Sequence, residues 1–281
     1  MPMTQQDIRS HYEQQWKKQS DDASNISDLS YSNPIEDAVL YPAYVKLIRD
    51  FGLAVSGGRV LDVGSGSGRW IRFFTERFKP RSLLGIDFSA SSIELLNKWG
   101  MKHGGCVEFR QADITEPDLD LGGGFDLINV ANVLFHIPEP DRYARALANL
   151  TRHLLPGGAI VTTEYLPRRT MRTEWMLVRS RYEFQAIAEA AGLEIAGVRA
   201  VHFFANDPMG IDGLDEGLRK QFSQVRANMN SLLASNLDPQ TRKFMLEFLV
   251  SIEQTAIDFS RERIADMELP GQKLVVLRKK G

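Results

Sequence analysis

The stretch Val60-Leu61-Asp62-Val63-Gly64-Ser65-Gly66-Ser67-Gly68-Arg69-Trp70 limits what this chain can fold into more than any other. A short apolar run stops at alternating glycines, and the chain resumes as Arg69-Trp70-Ile71-Arg72-Phe73-Phe74. The pattern predicts a buried strand, a tight turn and a helix. Glycine in such a turn permits positive φ and lets a ligand lie against bare backbone, since no Cβ intervenes. The dinucleotide spacing G-x-G-x-x-G would need glycine at position 69, where this chain has Arg69. A packing device with no ligand is the plainer alternative for an isolated turn of this kind.

Strands and helices then alternate. Residues 83–86 read as a second buried strand ending in Asp87-Phe88-Ser89, and a carboxylate at the tip of a parallel strand can accept both ribose hydroxyls. Capping of the next helix explains the serines but not the acid. Residues 107–114 read as a third, alternating strand ending again in an acid, Asp113, which a turn before Glu116-Pro117 would also explain. Gly122-Gly123-Gly124 precedes a fourth strand at 125–130, a helix covers about 141–154, and Pro156-Gly157-Gly158 opens a fifth strand. Alternation of this sort implies a parallel sheet with helices on both faces.

Five ordered segments carry a family resemblance: V-L-D-V-G-S-G-S-G at 60–68, G-I-D-F-S at 85–89, R-Q-A-D-I at 110–114, F-D-L-I-N-V-A-N-V-L-F-H-I-P at 125–138, and L-L-P-G-G at 154–158. Together they resemble the class I S-adenosylmethionine (SAM) dependent methyltransferases, closest in style to small-molecule and sugar O-methyltransferases. The resemblance covers residues 57–165 and implies a Rossmann-like α/β fold: a seven-stranded sheet, mostly parallel with an antiparallel last strand. It implies SAM as cofactor, S-adenosyl-L-homocysteine as product, and no metal. The cofactor contacts it assigns are Asp62, Gly64, Ser65, Gly66, Asp87, Phe88, Asp113, Ile114 and Val130, with Asp113 taking the adenine amine.

His136 is the candidate general base, because an alcohol acceptor must lose a proton and histidine titrates near working pH. Glu164, at the tip of the fifth strand, is placed to orient it. The alternative is that His136 only bonds a backbone carbonyl before Pro138, and that Glu164 is a loop carboxylate without a role. Beyond residue 165, Arg168 and Arg172 with Trp175 form a basic aromatic loop expected over the acceptor side, where guanidinium groups could clamp an anionic substrate. A solvated basic loop is the plainer reading.

The flanks divide the chain into a helical lid and cap at 1–56, a core at 57–204, a helical insertion at 205–270 and a last strand at 271–281. In residues 4–18, Ile8, Tyr12 and Trp16 recur every four positions and share a helix face. That face could close over a ligand, which adds Tyr12 to the cofactor set, or simply dock. Residues 20–33 read as a loop, and 35–51 as a helix. Residues 193–204 and 272–278 read as strands six and seven. Between them, helices are expected at about 212–234 and 238–265, the second begun by Asp238-Pro239 as N-cap and N1. Phe244, Phe248, Ile252, Ala256 and Phe259 or Ser260 make a stripe on it. Packing on the parent domain is the plain reading; a substrate cover or a homodimer surface is the sharper one.

Lys plus Arg number 34 and Asp plus Glu 36, for a net charge of −2, which speaks against a surface built for nucleic acid. No apolar run reaches the roughly 18 residues of a membrane span, and residues 1–20 show no signal-peptide pattern, so a cytoplasmic location is expected. Cys106 is the single cysteine, which leaves no intrachain disulfide. The leading expectation is methyl transfer to a hydroxyl of a sugar or another small metabolite. N- or C-methylation is the alternative, although Asn129-Val130-Ala131-Asn132 does not match an Asn-Pro-Pro-Tyr segment. A SAM-binding partner subunit without turnover is the reading from another class.

Overall fold

A computed structural model describes residues 4–22, 34–103, 106–210 and 216–281. The glycine-bounded apolar run becomes β1 (Arg59–Val63), followed after the turn by α3 (Arg69–Arg77). Upstream lie α1 (Gln5–Asp22) and α2 (Pro34–Asp50). Then come β2 (Ser82–Asp87), α4 (Ala90–His103), β3 (Val107–Gln111), β4 (Phe125–Val130), α5 (Pro140–Arg152) and β5 (Leu154–Glu164). A ribbon of β6 (Met171–Arg172) and β7 (Leu177–Val178) precedes α6 (Arg181–Ala190) and β8 (Leu193–Ala200). The chain closes with α7 (Glu216–Ala234), α8 (Pro239–Arg261) and β9 (Lys273–Lys279).

The main sheet has seven strands in the order β3-β2-β1-β4-β5-β9-β8. The first five are mutually parallel, and β9 runs antiparallel to both β5 and β8. The last two strands thus pair with each other despite the insertion between them. The order reverses at β1 and β4, whose carboxyl ends part to leave a crevice, the usual ligand position in such sheets.

The period-two alternation of strand side chains sorts the core onto two faces. Val60, Leu127, Val161 and Val276 join α2 and the aromatic α3 residues Trp70, Phe73 and Phe74 on one side. Their neighbours Leu61, Ile128, Ile160 and Leu277 meet Tyr143 and Leu147 of α5 and Phe184 of α6 on the other. All eight strand residues are fully buried, as strands covered on both faces require.

Helix ends follow their sequence signals in part. Asp238 Oδ1 accepts from the Gln240 and Thr241 amides at 3.0 Å and starts α8. The sequence Ser180-Arg181-Tyr182-Glu183 fits a capping box: Ser180 Oγ accepts from the Glu183 amide at 3.2 Å, but the reciprocal half is not made. The Glu183 carboxylate instead accepts from Thr170 Oγ1 at 2.6 Å. The expected loop at 20–33 is helix as far as Asp22, and its remainder, like positions 212–215 of the expected seventh helix, lies outside the described residues.

The insertion docks on the α2 face through Met229, Leu233 and Leu249. On α8 the inward row is Leu249, Glu253 and Ile257. Of the row picked out in the sequence, Phe244, Phe248, Ile252 and Phe259 point outward instead, and Ala256 is half-buried. Both rows repeat at helical spacing, so periodicity alone could not choose between them.

Candidate active site

The glycine turn after β1 has positive φ at Gly64 (69°), Gly66 (50°) and Gly68 (77°), a region open to glycine without steric cost. The turn is pinned to β2 by the Gly64 and Ser65 amides, which donate to the Ile86 carbonyl at 2.8 and 3.0 Å. A Cβ on Gly66 would sit 2.7 Å from the Trp16 indole, and one on Gly64 2.5 Å from Val133 Cγ2. Bare backbone is thus required on both sides of the turn.

Asp62 is fully buried beneath it. Its Oδ1 accepts from Asn129 Nδ2 at 2.8 Å, and the Asn129 Oδ1 accepts from the Tyr44 hydroxyl at 2.9 Å. Asp62 Oδ2 is buried without a hydrogen-bond partner, and burial pushes the carboxyl up to about 7. Asp87, at the tip of β2, accepts from the Gly66 amide through Oδ2 and from the Ser89 amide through Oδ1, both at 2.9 Å. Burial raises this carboxyl to about 6. Asp113 accepts from the amide and hydroxyl of Thr115 through Oδ1, each at 2.8 Å, while Oδ2 faces Arg142 at 3.0 Å and Arg9. Ile114 and Val130 are buried beside these groups. Ser65 Oγ turns away to donate to the Asp62 carbonyl at 3.1 Å.

The helix expected over residues 4–18 is present as α1, which lies across the carboxyl ends of the strands. Glu13 Oε1 accepts from the Ser91 amide and hydroxyl at 3.2 and 2.7 Å. Trp16 rests on Gly66, and the Tyr12 hydroxyl stands 3.0 Å from His136 Nε2. Ile8 is 2% exposed, so the stripe 8-12-16 faces inward.

His136 closes a 3₁₀ turn, Leu134–His136, just past the end of β4. Its Nδ1 lies 3.0 Å from the Trp175 carbonyl. A carbonyl can only accept, so Nδ1 carries the proton and Nε2 presents a lone pair to Tyr12. Burial lowers the imidazole to about 4, which keeps it neutral at ordinary pH. Glu164 is not its orienting partner. That carboxyl accepts from Thr162 Oγ1 at 3.1 Å and sits near Arg179 and Tyr143. Both imidazole nitrogens are taken up by Tyr12 and Trp175, so the tautomer is set by a backbone carbonyl.

The basic loop divides. Arg168 pairs with Glu268 at 3.1 Å, Arg172 is exposed on β6, and the Trp175 ring lies 4.0 Å from that of His11. Arg168 is therefore engaged elsewhere and is not turned to the His136 turn. The buried guanidinium is that of Arg179, 3.6 Å over the Tyr143 ring and donating to the Pro138 carbonyl at 3.2 Å. Reading the sequence missed Arg9, Arg142 and Asn129. Arg9 and Asp113 are 104 positions apart, and only the path of α1 across the sheet edge brings them together. Among the described residues no group of three or more His, Cys, Asp or Glu is placed to hold a metal ion, and no helix is long and apolar enough to cross a membrane.

Comparison with known proteins agrees with this geometry. Residues 60–158 match the family described as methyltransferase domain. The ubiquinone biosynthesis O-methyltransferase of Bordetella bronchiseptica is 30% identical over 182 residues, 58% of this chain and 73% of that protein. The trans-aconitate 2-methyltransferase of Deinococcus radiodurans is 35% identical over 102 residues, 36% of each chain. The structure of the CcbJ methyltransferase from Streptomyces caelestis superposes with a TM-score of 0.56 at 15% identity, covering 96% of this chain and 98% of that one. The N-methyltransferase NodS from Bradyrhizobium japonicum, in complex with S-adenosyl-L-homocysteine, gives 0.51 at 22% identity, covering 68% of this chain and 90% of that one. With its glycine turn, its strand-tip acids and its sheet order, the chain belongs to the class I SAM-dependent methyltransferases.

Proposed function

We propose that this enzyme methylates a hydroxyl group of a small metabolite, with His136 as general base. The observation that carries the reading is the Tyr12 hydroxyl 3.0 Å from His136 Nε2: a neutral imidazole, fixed in one tautomer, already accepts an O–H at the carboxyl edge of β4. The two relatives named above act, by their names, on small molecules, and one of them is an O-methyltransferase.

The residues of the crevice suit the cofactor. No Cβ stands at Gly64 or Gly66, whose neighbours are the Val133 and Trp16 side chains, Asp62 Oδ2 lacks a partner, and Asp87 uses one lone pair of each oxygen, which leaves acceptor capacity for a ribose diol. In this reading Asp87 holds the ribose, Asp113 the adenine amine, and Phe88 and Ile114 flank the base. Bound SAM supplies a methyl group made electrophilic by its sulfonium. What remains for the protein is alignment, for which well-oriented groups can supply about 7 to 11 kcal/mol, and a place for the proton.

His136 provides that place. An acceptor hydroxyl taking the position of the Tyr12 phenol would meet the same lone pair. Because burial lowers the imidazole to about 4, removing an alcohol proton ahead of methyl transfer is steeply uphill. Proton transfer to Nε2 therefore accompanies formation of the carbon–oxygen bond, and a neutral thioether leaves. Trp175 and Arg172 belong to the short ribbon beside the His136 turn, where they would border the acceptor.

The test uses SAM labelled in its methyl group with a panel of phenols, sugars and carboxylic acids. Replacing His136 by Ala should lower turnover on a hydroxyl acceptor about 10²- to 10⁴-fold and leave S-adenosyl-L-homocysteine affinity unchanged. A carboxylate acceptor has no proton to lose and should be insensitive to the change. Equal turnover of wild type and His136→Ala on a hydroxyl acceptor removes the base from the mechanism.

A further inference from the structure

An ionised carboxylate offers about four acceptor positions, and on Asp113 the protein fills them all. Oδ1 takes the amide and hydroxyl of Thr115, and Oδ2 takes Arg142 and Arg9. Thr115 and Arg142 belong to the core. Arg9 comes from α1, and its guanidinium also lies 5.1 Å from the centre of the Phe88 ring. A flat group bearing N–H donors is thus set beside Phe88 and bonded to Asp113. In the cofactor reading, those are the two contacts of the adenine ring and its exocyclic amine.

We propose that Arg9 is a built-in competitor for the adenine subsite, exchanging with the nucleoside amine on Asp113 Oδ2 whenever the cofactor binds. The inference rests on the cofactor reading given above. Arg142 cannot play the same part without losing its second bond, 2.6 Å to Thr115 Oγ1. Arg9 has somewhere to go. A cleft of about 740 Å³ lies beside it, bordered by Gln5, Glu13, Phe88, Glu139 and Arg142. Glu13 is four residues further along α1, on the same side of the helix; its Oε1 is held by Ser91, and the fixed negative charge favours a guanidinium that swings to that side of the cleft. Ile8 and Trp16, 2% and 9% exposed, anchor α1 on either side of Arg9, so the exchange at Asp113 itself needs only the Arg9 side chain to swing. Cofactor affinity is then reduced by the fraction of molecules in which Arg9 holds Asp113.

The experiment is calorimetry with S-adenosyl-L-homocysteine on the full chain, wild type against Arg9→Ala, repeated in an Asp113→Asn background. Lys17→Ala, an exposed change on the same helix, serves as control. Arg9→Ala should tighten binding about tenfold, the gain should disappear when Asp113 is Asn, and Lys17→Ala should match wild type. Binding that is unchanged or weaker in Arg9→Ala overturns the proposal and leaves the cofactor reading intact, as does a gain that persists in the Asp113→Asn background. If neither wild type nor Arg9→Ala binds the ligand, the cofactor reading falls and the competition falls with it.

Discussion

At the scale of single residues, the site depends on buried groups whose charge is set by their surroundings. Burial pushes the Glu164 carboxyl from 4.5 up to about 8. Between those values the folded chain keeps a proton that the unfolded chain has released, so this group's contribution to stability is lost as pH rises through that window. Glu164→Gln keeps an acceptor for Thr162 Oγ1 and has no proton to lose. Urea unfolding at about pH 5 and about pH 8 should show a smaller loss of stability on the alkaline side in the variant than in wild type. Equal losses would mean that Glu164 ionises normally. Asp62, Asp87 and Glu36 are also raised, so the variant should flatten the slope without abolishing it. The position of Glu164 at the strand tip was legible in the sequence. Its partners were not, because strand periodicity gives the face of a side chain and not which of several nearby polar groups it meets. His136 shows the same limit: its place after β4 could be read, whereas the Trp175 carbonyl that fixes its tautomer comes from a ribbon 39 positions away.

At the scale of elements, legibility follows whether a segment meets its partners locally. The strand–turn–helix at 60–74 and the alternation through β5 were readable because glycines and buried strands leave a local signature. The first helix was readable as a helix with an apolar stripe, and its contacts with Asp113, His136 and Gly66 were not. For α8 the row singled out in the sequence is the exposed one, so its plain reading, packing on the parent domain, does not hold; the inward row was passed over because it holds a carboxylate. Glu253 is fully buried and accepts from the amides of Phe203, Phe204 and Ala205 at 2.7 to 2.8 Å. One charged side chain thereby turns the backbone after β8 and ties the insertion to the sheet. Glu253→Ala would leave these donors without partners, at a cost of about 3 kcal/mol in unfolding free energy. Urea denaturation followed by circular dichroism measures it, and a loss below about 1 kcal/mol would show that the three amides find other acceptors. Glu253→Gln keeps an acceptor oxygen and should fall between the two.

For the whole molecule, the insertion changes what the surface presents. Its inner row completes the core on the α2 face, while Phe244, Phe248 and Phe259 are 63%, 51% and 61% exposed on the outer side of α8. On α7, Leu218, Val225 and Leu232 are also exposed and lie seven residues apart, a spacing that keeps them on one stripe. Scattered apolar residues on a surface need no explanation, whereas rows of them on neighbouring helices are the kind of face that would suit association. A second copy of the chain is the simplest partner, since a two-fold axis lets the same α8 row face itself. Wild-type protein is therefore expected to sediment as a dimer at micromolar concentration. Phe244→Asp with Phe248→Asp, which would place carboxylates face to face across that axis, should yield monomers that still bind S-adenosyl-L-homocysteine, because the crevice lies at the carboxyl edge of β1 and β4 and the row lies on the outer helix. A wild-type monomer at all concentrations would assign these side chains to some other use. A dimer that survives both substitutions would move the interface off α8.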